Sequence, residues 1–257
     1  MTRADGRKAT ELRPVALECD PVPHAEGSCQ MTQGRTRVLV TVSVEEKVPS
    51  FLKETGEGWI TAEYGMLPRA TKERTAREAA RGKQSGRTLE IQRLVGRALR
   101  GVVDRHRIPE LTFTLDCDVL VADAGTRCAS ITAGYVALAL AFARLHHEKR
   151  IRANPFTEAV AAISVGLFPG GETPGKGRVA LDLDYPEDST AGVDLNLVGT
   201  SSGRIVEVQG TAERTPFRRE RLQELLDLAD RGLDRLHAAQ RAALDAARPG
   251  LLGLLSR

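Results

Sequence analysis

Aromatic side chains are scarce, 4% of 257 residues with a single tryptophan, so aliphatic side chains must fill most of any core. Histidine is also sparse, and two of its five copies, His146 and His147, sit together at the end of a helical pattern. No Ser–His–Asp signature is present, which removes the usual support for nucleophilic acyl transfer. The four cysteines, Cys19, Cys29, Cys117 and Cys128, form no C-x-x-C pair and no zinc spacing. Reduced structural thiols in a cytoplasmic protein are the expectation. The stretch MTRADGRKATELRPV is charged throughout and lacks the apolar segment of a secretory signal. No apolar run reaches the roughly 18 residues needed to span a bilayer, so no membrane partner is expected. A strong global charge bias is missing as well: the formal charge is +3 with a pI near 8.8.

What is present is local. Between Arg69 and Arg107 the chain carries twelve lysines and arginines against four acids. Such a concentration suits a polyanion arriving at one face; the same composition also suits a solvated helix pair.

Periodicity places this stretch among recognisable elements. Leu12–Cys19 alternates as a first strand, AEGSC (Ala25–Cys29) reads as a turn, and Arg37–Glu45 is a β-rich strand with valine at every second position. A long loop runs from Glu46 to about Arg69. Thr88–Arg105 is an amphipathic helix with Arg93, Arg97 and Arg100 facing out, and Gly96 inside it implies a close neighbour. Thr112–Val121 alternates as a strand, with Phe113, Leu115, Cys117, Val119 and Val121 inward. An apolar helix follows from about Cys128 to Lys149. The second part repeats the plan. Ala161–Phe168 and Arg178–Tyr185 are strands around PGGETPGKG, and Val193–Val198 with Ile205–Gln209 is a hairpin. Thr215–Pro216 starts a helix that reaches about Ala247. Strands followed by a helix, twice, give an α+β chain of layered sheets and helices in two related halves, about 1–150 and 151–247, forming one domain with a tail at 248–257.

Two constellations carry chemistry. Gly125–Thr126–Arg127 joins a strand to a helix N-terminus, where unpaired N–H groups favour a phosphate and Arg127 adds a bidentate fork; a plain turn with a surface arginine is the competing reading. In VALDLDYPEDS (Val179–Ser189), period two puts Asp182 and Asp184 on one side of a strand, with Glu187 and Asp188 in the next turn. Clustered carboxylates beside a phosphate suit Mg²⁺, and a solvated acidic edge suits the spacing equally. Asp116 and Asp118 form a rival pair. GKQSGR (Gly82–Arg87) is not a nucleotide-binding P-loop: no glycine stands five residues before Gly82 and no strand leads in.

DGR…ELRPV (Asp5–Val15), EYGMLPRAT (Glu63–Thr71), GKQSGRTLEIQRLVGRALR (Gly82–Arg100), DCDVLVADAGTR (Asp116–Arg127), AAISVGLF (Ala161–Phe168), LDLDYPEDS (Leu181–Ser189) and VEVQGTAE (Val206–Glu213) together resemble the ribonuclease PH family. The resemblance runs to about Leu244. It implies a fold of two pseudo-symmetric halves like the second domain of ribosomal protein S-five, assembled as a homohexamer, a trimer of dimers. It implies a phosphorolytic 3′–5′ exoribonuclease, or tRNA nucleotidyltransferase. Such an enzyme trims tRNA precursors and other RNA 3′ ends with inorganic phosphate, releases nucleoside 5′-diphosphates, and can run in reverse.

By the same resemblance, Arg87, Gly125, Thr126 and Arg127 would hold the attacking phosphate. Asp182 and Asp188 would bind Mg²⁺ or assist the leaving group, and Arg69, Arg74 and Arg77 would grip the tRNA. Arg127, Asp182 and Asp188 are thus the expected catalytic residues. Ala124 replaces the family's usual glycine, which is harmless if its φ is negative. A metal-dependent hydrolytic nuclease and an inactive RNA-binding ring subunit of the same fold are the competing readings.

Overall fold

The computed structural model describes residues 3–169, 177–213 and 216–249. The PGGETPGKG loop from Gly170 to Lys176, Thr215, and the tail from Gly250 lie outside the described residues.

The first half is a five-stranded sheet. It contains β1 (Val15–Cys19), β2 (Gly27–Gln33), β3 (Thr36–Glu45), β4 (Trp59–Met66) and β5 (Thr112–Val121), ordered β1-β2-β3-β5-β4. All neighbours are antiparallel except β4 and β5, which are parallel. Parallel neighbours need a crossover. It is supplied here by α1 (Glu78–Arg81) and α2 (Gly86–Arg100). The second half is a four-stranded antiparallel sheet of β6 (Val160–Phe168), β7 (Arg178–Leu181), β8 (Val193–Thr200) and β9 (Ile205–Ala212), ordered β7-β6-β8-β9. α3 (Thr126–His147), α4 (Tyr185–Asp188) and α5 (Arg219–Ala247) complete the chain.

α3 occupies the centre, packed on β2 and β3 of one sheet and β6 of the other. It is long and apolar enough by composition to cross a membrane, yet 94% of its apolar window is buried inside the fold. The same main cluster of buried side chains includes Val40, Leu115, Phe142, Ile163, Leu197 and Leu236, so both halves share one core. The four cysteines are free thiols.

Two expectations about strands fail for identifiable reasons. The segment read as a turn at Ala25–Cys29 is mostly β2. Its glycine is required by proximity: a Cβ on Gly27 would lie 2.2 Å from the Ala137 carbonyl oxygen of α3. The segment read as loop contains β4, where Ile60, Ala62 and Tyr64 alternate inward. α2 begins earlier than expected because the Ser85 side chain accepts from the Thr88 N–H at 3.2 Å, an N-cap. Gly96 does lie against the neighbouring strand, its Cβ position 3.7 Å from the Ala62 nitrogen. Val121 is 39% exposed instead of inward. α5 starts at Arg219, three residues after Pro216, so proline is not at its first position.

Candidate active site

The turn after β5 contains two left-handed residues, Ala124 (φ +59°) and Gly125 (φ +67°), before α3 begins at Thr126. The alanine therefore occupies a conformation that costs L-residues roughly 1–2 kcal/mol, so the condition under which it would be harmless, a negative φ, is not met. Side chains hold the turn in shape. Thr36 Oγ1 donates to the Ala124 carbonyl at 2.7 Å, and the Asp123 N–H donates to Thr36 Oγ1 at 3.0 Å. Thr126 Oγ1 shares a hydrogen bond with Tyr64 OH at 2.8 Å. Thr126 and Tyr64 are both buried, so the first turn of α3 is fixed to β4.

Beside this turn lies an open cleft of about 940 Å³. Arg87 from the first turn of α2, Arg127 from α3, Asp188 at the end of α4, and Asp194 with Asn196 on β8 face it, and β9 contributes Gln209. Arg127 is held in a polar clasp: its Nη1 donates to Gln209 Oε1 at 2.7 Å and to Glu90 Oε1 at 3.3 Å. Gln209 Nε2 in turn donates to Glu90 at 2.9 Å. Two guanidinium groups thus face two aspartates across one water-accessible space, with Glu90 beside Arg127 and Glu213 also in the lining.

The carboxylates are under electrostatic load. Burial pushes Asp194 up to about 6, and the neighbouring Asp188 adds to the rise while Arg127 opposes it. Asp188 is also raised by burial, with Arg87 and Arg127 pulling it back. Asp194 Oδ1 is buried and has no hydrogen-bond partner among the described residues. Its Oδ2 accepts from Asn196 Nδ2 at 3.4 Å, and a carboxylate with one unpartnered oxygen next to a second carboxylate suits a hard cation that also takes oxygens from its substrate. No group of three or more metal-ligating side chains occurs among the described residues, so any cation here would take its remaining ligands from water or a bound molecule.

Among the expected site residues, Arg87, Arg127 and Asp188 line the cleft, and Gly125 and Thr126 stand at the helix start from which Arg127 projects. Asp182 does not line it. β7 ends at Leu181, and Asp182 then takes φ +55°, which breaks the period-two alternation. Its side chain is 1% exposed and ion-paired with Arg13, whose Nη2 is 2.6 Å from Oδ1. Asp184 caps α4 in a capping box with Glu187, and Tyr185 is 64% exposed. The expected side-by-side placement of Asp182 and Asp184 is therefore wrong. Asp116 and Asp118 lie outside the cleft lining.

The aspartates facing one cleft are Asp188 and Asp194, also six residues apart. Sequence reasoning missed Asp194 and Asn196. The alternation Val193, Leu195, Leu197 inward already puts both on the opposite face of that strand. Arg69, Arg74 and Arg77 are exposed and do not line the cleft. Arg97 instead pairs with Glu207 of β9, and Arg100 donates to the Ile60 carbonyl while lying 4.2 Å over the Trp59 ring.

The fold and cleft define an α+β protein of two sheet-and-helix halves, with a basic wall facing an acidic one. Family models for the 3′ exoribonuclease family match it over residues 11–143 (domain 1) and 158–232 (domain 2). The chain belongs to this ribonuclease PH family. The crystal structure of rice (Oryza sativa) Rrp46 has the same fold. It superposes with a TM-score of 0.74 at 20% identity, over 94% of this chain and 100% of that one.

Proposed function

We propose that the chain is a phosphate-dependent 3′–5′ exoribonuclease that removes nucleotides beyond the CCA end of tRNA precursors and releases nucleoside 5′-diphosphates. The observation that carries this reading is the pairing of Arg87 and Arg127 with Asp188 and Asp194 around one cleft whose lining contains no histidine, lysine or cysteine among the described residues. Bringing phosphate against a phosphodiester opposes like charges, each unit pair repelling by about 4 kcal/mol at 4 Å and an effective dielectric near 20. Arg87, Arg127 and the N–H groups at the start of α3 offset that repulsion on the phosphate side.

A phosphate oxygen attacks the phosphorus of the last linkage. The bond from phosphorus to the 3′-oxygen of the penultimate nucleotide breaks, and that oxygen gains a proton as the shortened RNA leaves. The terminal nucleotide departs with both phosphates. The nucleophile is already an anion, so positioning and charge neutralisation do most of the catalysis. Asp188 and Asp194 would hold Mg²⁺, which when bound supplies positive charge beside the phosphodiester. The reverse reaction uses the same cleft.

Exposed Arg69, Arg74 and Arg77 would contact the RNA away from the scissile bond, in a cytoplasmic homohexamer. One observation favours a second reading: a carboxylate raised to about 6, Asp194, is suited to act as a base toward water, which would make the enzyme hydrolytic. Incubating a 3′-extended tRNA with Mg²⁺, with and without phosphate, separates the two. Nucleoside diphosphates formed only with phosphate support phosphorolysis. Monophosphates formed without it support hydrolysis, and RNA binding without nucleotide release leaves an inactive RNA-binding subunit.

A further inference from the structure

Outside the cleft lining, buried charges connect the segments that carry its two walls. Arg13 is 4% exposed, Asp182 is 1% exposed and Arg3 is 5% exposed. Arg13 Nε and Nη2 reach Asp182 Oδ1 at 3.0 and 2.6 Å, and the Arg13 N–H donates to Oδ2 at 2.7 Å. The remaining nitrogen, Nη1, donates to the Asp123 carbonyl, on the turn that leads to Arg127. One guanidinium therefore bonds the acidic segment of the second half and the phosphate-side turn of the first.

Each end is anchored further. Arg3 donates to the carbonyls of Leu181 and Asp182 at 2.7 and 2.8 Å and to Glu187 Oε1 at 2.7 Å. Glu187 completes the capping box of the helix that ends in Asp188. The Tyr185 N–H donates to Asp123 Oδ1 at 3.3 Å, which closes the circuit.

We propose that Arg13 and Asp182 are positioning residues that set the distance between the phosphate-binding turn and the Asp188 segment. A buried ion pair gains little net stability over apolar packing, because both charges must be desolvated. Its bonds do have fixed directions, and in-line displacement depends on direction. Misplacement by about 1 Å can cost on the order of 10²-fold in rate. Asp182 then serves the reaction from outside the cleft lining, without touching a metal or the RNA.

Hydrogen exchange followed by mass spectrometry tests the link on the full chain. Arg13→Lys keeps the charge but loses the planar fork whose separate nitrogens reach Asp182 and Asp123. It should speed exchange together in segments 121–130 and 183–190 and leave β2 and β3 protected. Arg3→Ala should loosen 183–190 alone. The kinetic arm rests on the phosphorolytic reading: Arg13→Lys should raise the phosphate KM and lower kcat on the order of 10²-fold, whereas Arg3→Ala should lower kcat with the phosphate KM unchanged. Loosening confined to one segment in Arg13→Lys, or spread evenly over the chain, overturns the proposal. So does a variant with wild-type kcat and KM.

If Arg13→Lys does not fold, Glu187→Gln cuts only the rim of the network. It should loosen 183–190 and lower kcat alone, and no change in either sinks the idea. If the wild-type chain makes no diphosphate, the phosphorolytic reading has failed and the exchange pattern alone decides.

Discussion

The two walls of the cleft are built alike and stabilised differently. At Arg127 and at Asp188 each follows a strand, passes through left-handed backbone and ends at a helix: Ala124–Gly125 before α3, and Asp182 before α4; Arg87 comes from α2 and Asp194 from β8. α3 has 22 residues packed between two sheets, whereas α4 has four residues, none of them buried. The helix of the basic wall takes its rigidity from apolar packing, and polar bonds from Thr36 and Arg13 fix only the turn that leads into it. The acidic wall is held by Arg3, Arg13 and the Asp184–Glu187 capping box. A long helix can fix the backbone of a functional residue by packing, whereas a single turn needs polar tethers for its backbone as well. Substitutions at the basic wall should therefore affect chemistry with little effect on fold, while those at the acidic wall should affect both.

The largest expected effect tests the basic wall. Arg127→Ala should lower phosphate-dependent nucleotide release on the order of 10²–10³-fold, the cost of losing one anion-stabilising donor, with tRNA binding nearly unchanged in a filter assay. An equal loss of both would show that Arg127 belongs to the RNA-binding surface.

The acidic wall is tested through pH. Burial and Asp188 raise Asp194 to about 6, so protons compete with Mg²⁺ below that pH. The Mg²⁺ concentration for half-maximal rate should climb as pH falls from 7.5 to 5.5. The sign for stability is the reverse. A carboxyl whose folded pKa lies above its unfolded value disfavours the folded state once ionised, fully so above about 6. Asp194→Asn should therefore melt higher than wild type at pH 7.5 without Mg²⁺. The gain should shrink as pH falls through 6 toward 4, and added Mg²⁺ should stabilise only the wild type. A variant that melts lower at pH 7.5 would contradict the strained-carboxylate account.

Replacing Arg74 and Arg77 with alanine should weaken tRNA binding and reduce its salt slope by about 1.4, two single-strand phosphate contacts. Turnover of a short oligonucleotide should barely change. The smallest effect is Ala124→Gly. Relief of left-handed strain, roughly 1–2 kcal/mol, exceeds the added unfolded-state entropy of glycine, roughly 0.4–1 kcal/mol. Thermal melting should rise by one to a few degrees, as about 2–4 °C per kcal/mol implies for a chain of this size.

Elements with one buried and one exposed face were legible directly. β3, β5 and α2 each repeat apolar residues at their own period, and residue patterning alone located the two strands within one residue, while α2 begins two residues earlier and ends five residues earlier than expected. β2 was hidden because Gly27 and Ser28 look like a turn until α3 presses against them. β4 was hidden because Ala62 and Gly65 dilute its alternation. The motifs that resemble ribonuclease PH led to the family and to Arg87, Arg127 and Asp188 at the cleft. By itself, then, the sequence determined composition, periodicity and motif order, and with them the α+β class, the family and the basic wall.

Only the tertiary structure decided which aspartates share a face. Asp182 and Asp184 are two residues apart and would be neighbours on a regular strand. A single left-handed residue ends that strand, sending Asp182 into a buried ion pair and Asp184 to a helix cap. Asp188 and Asp194 lie on different elements, α4 and β8, and meet because β8 lies beside β6, the strand that β7 pairs with. Spacing along a chain reports faces only while the backbone keeps one period; where φ changes sign, which carboxylates face the cleft is settled by packing.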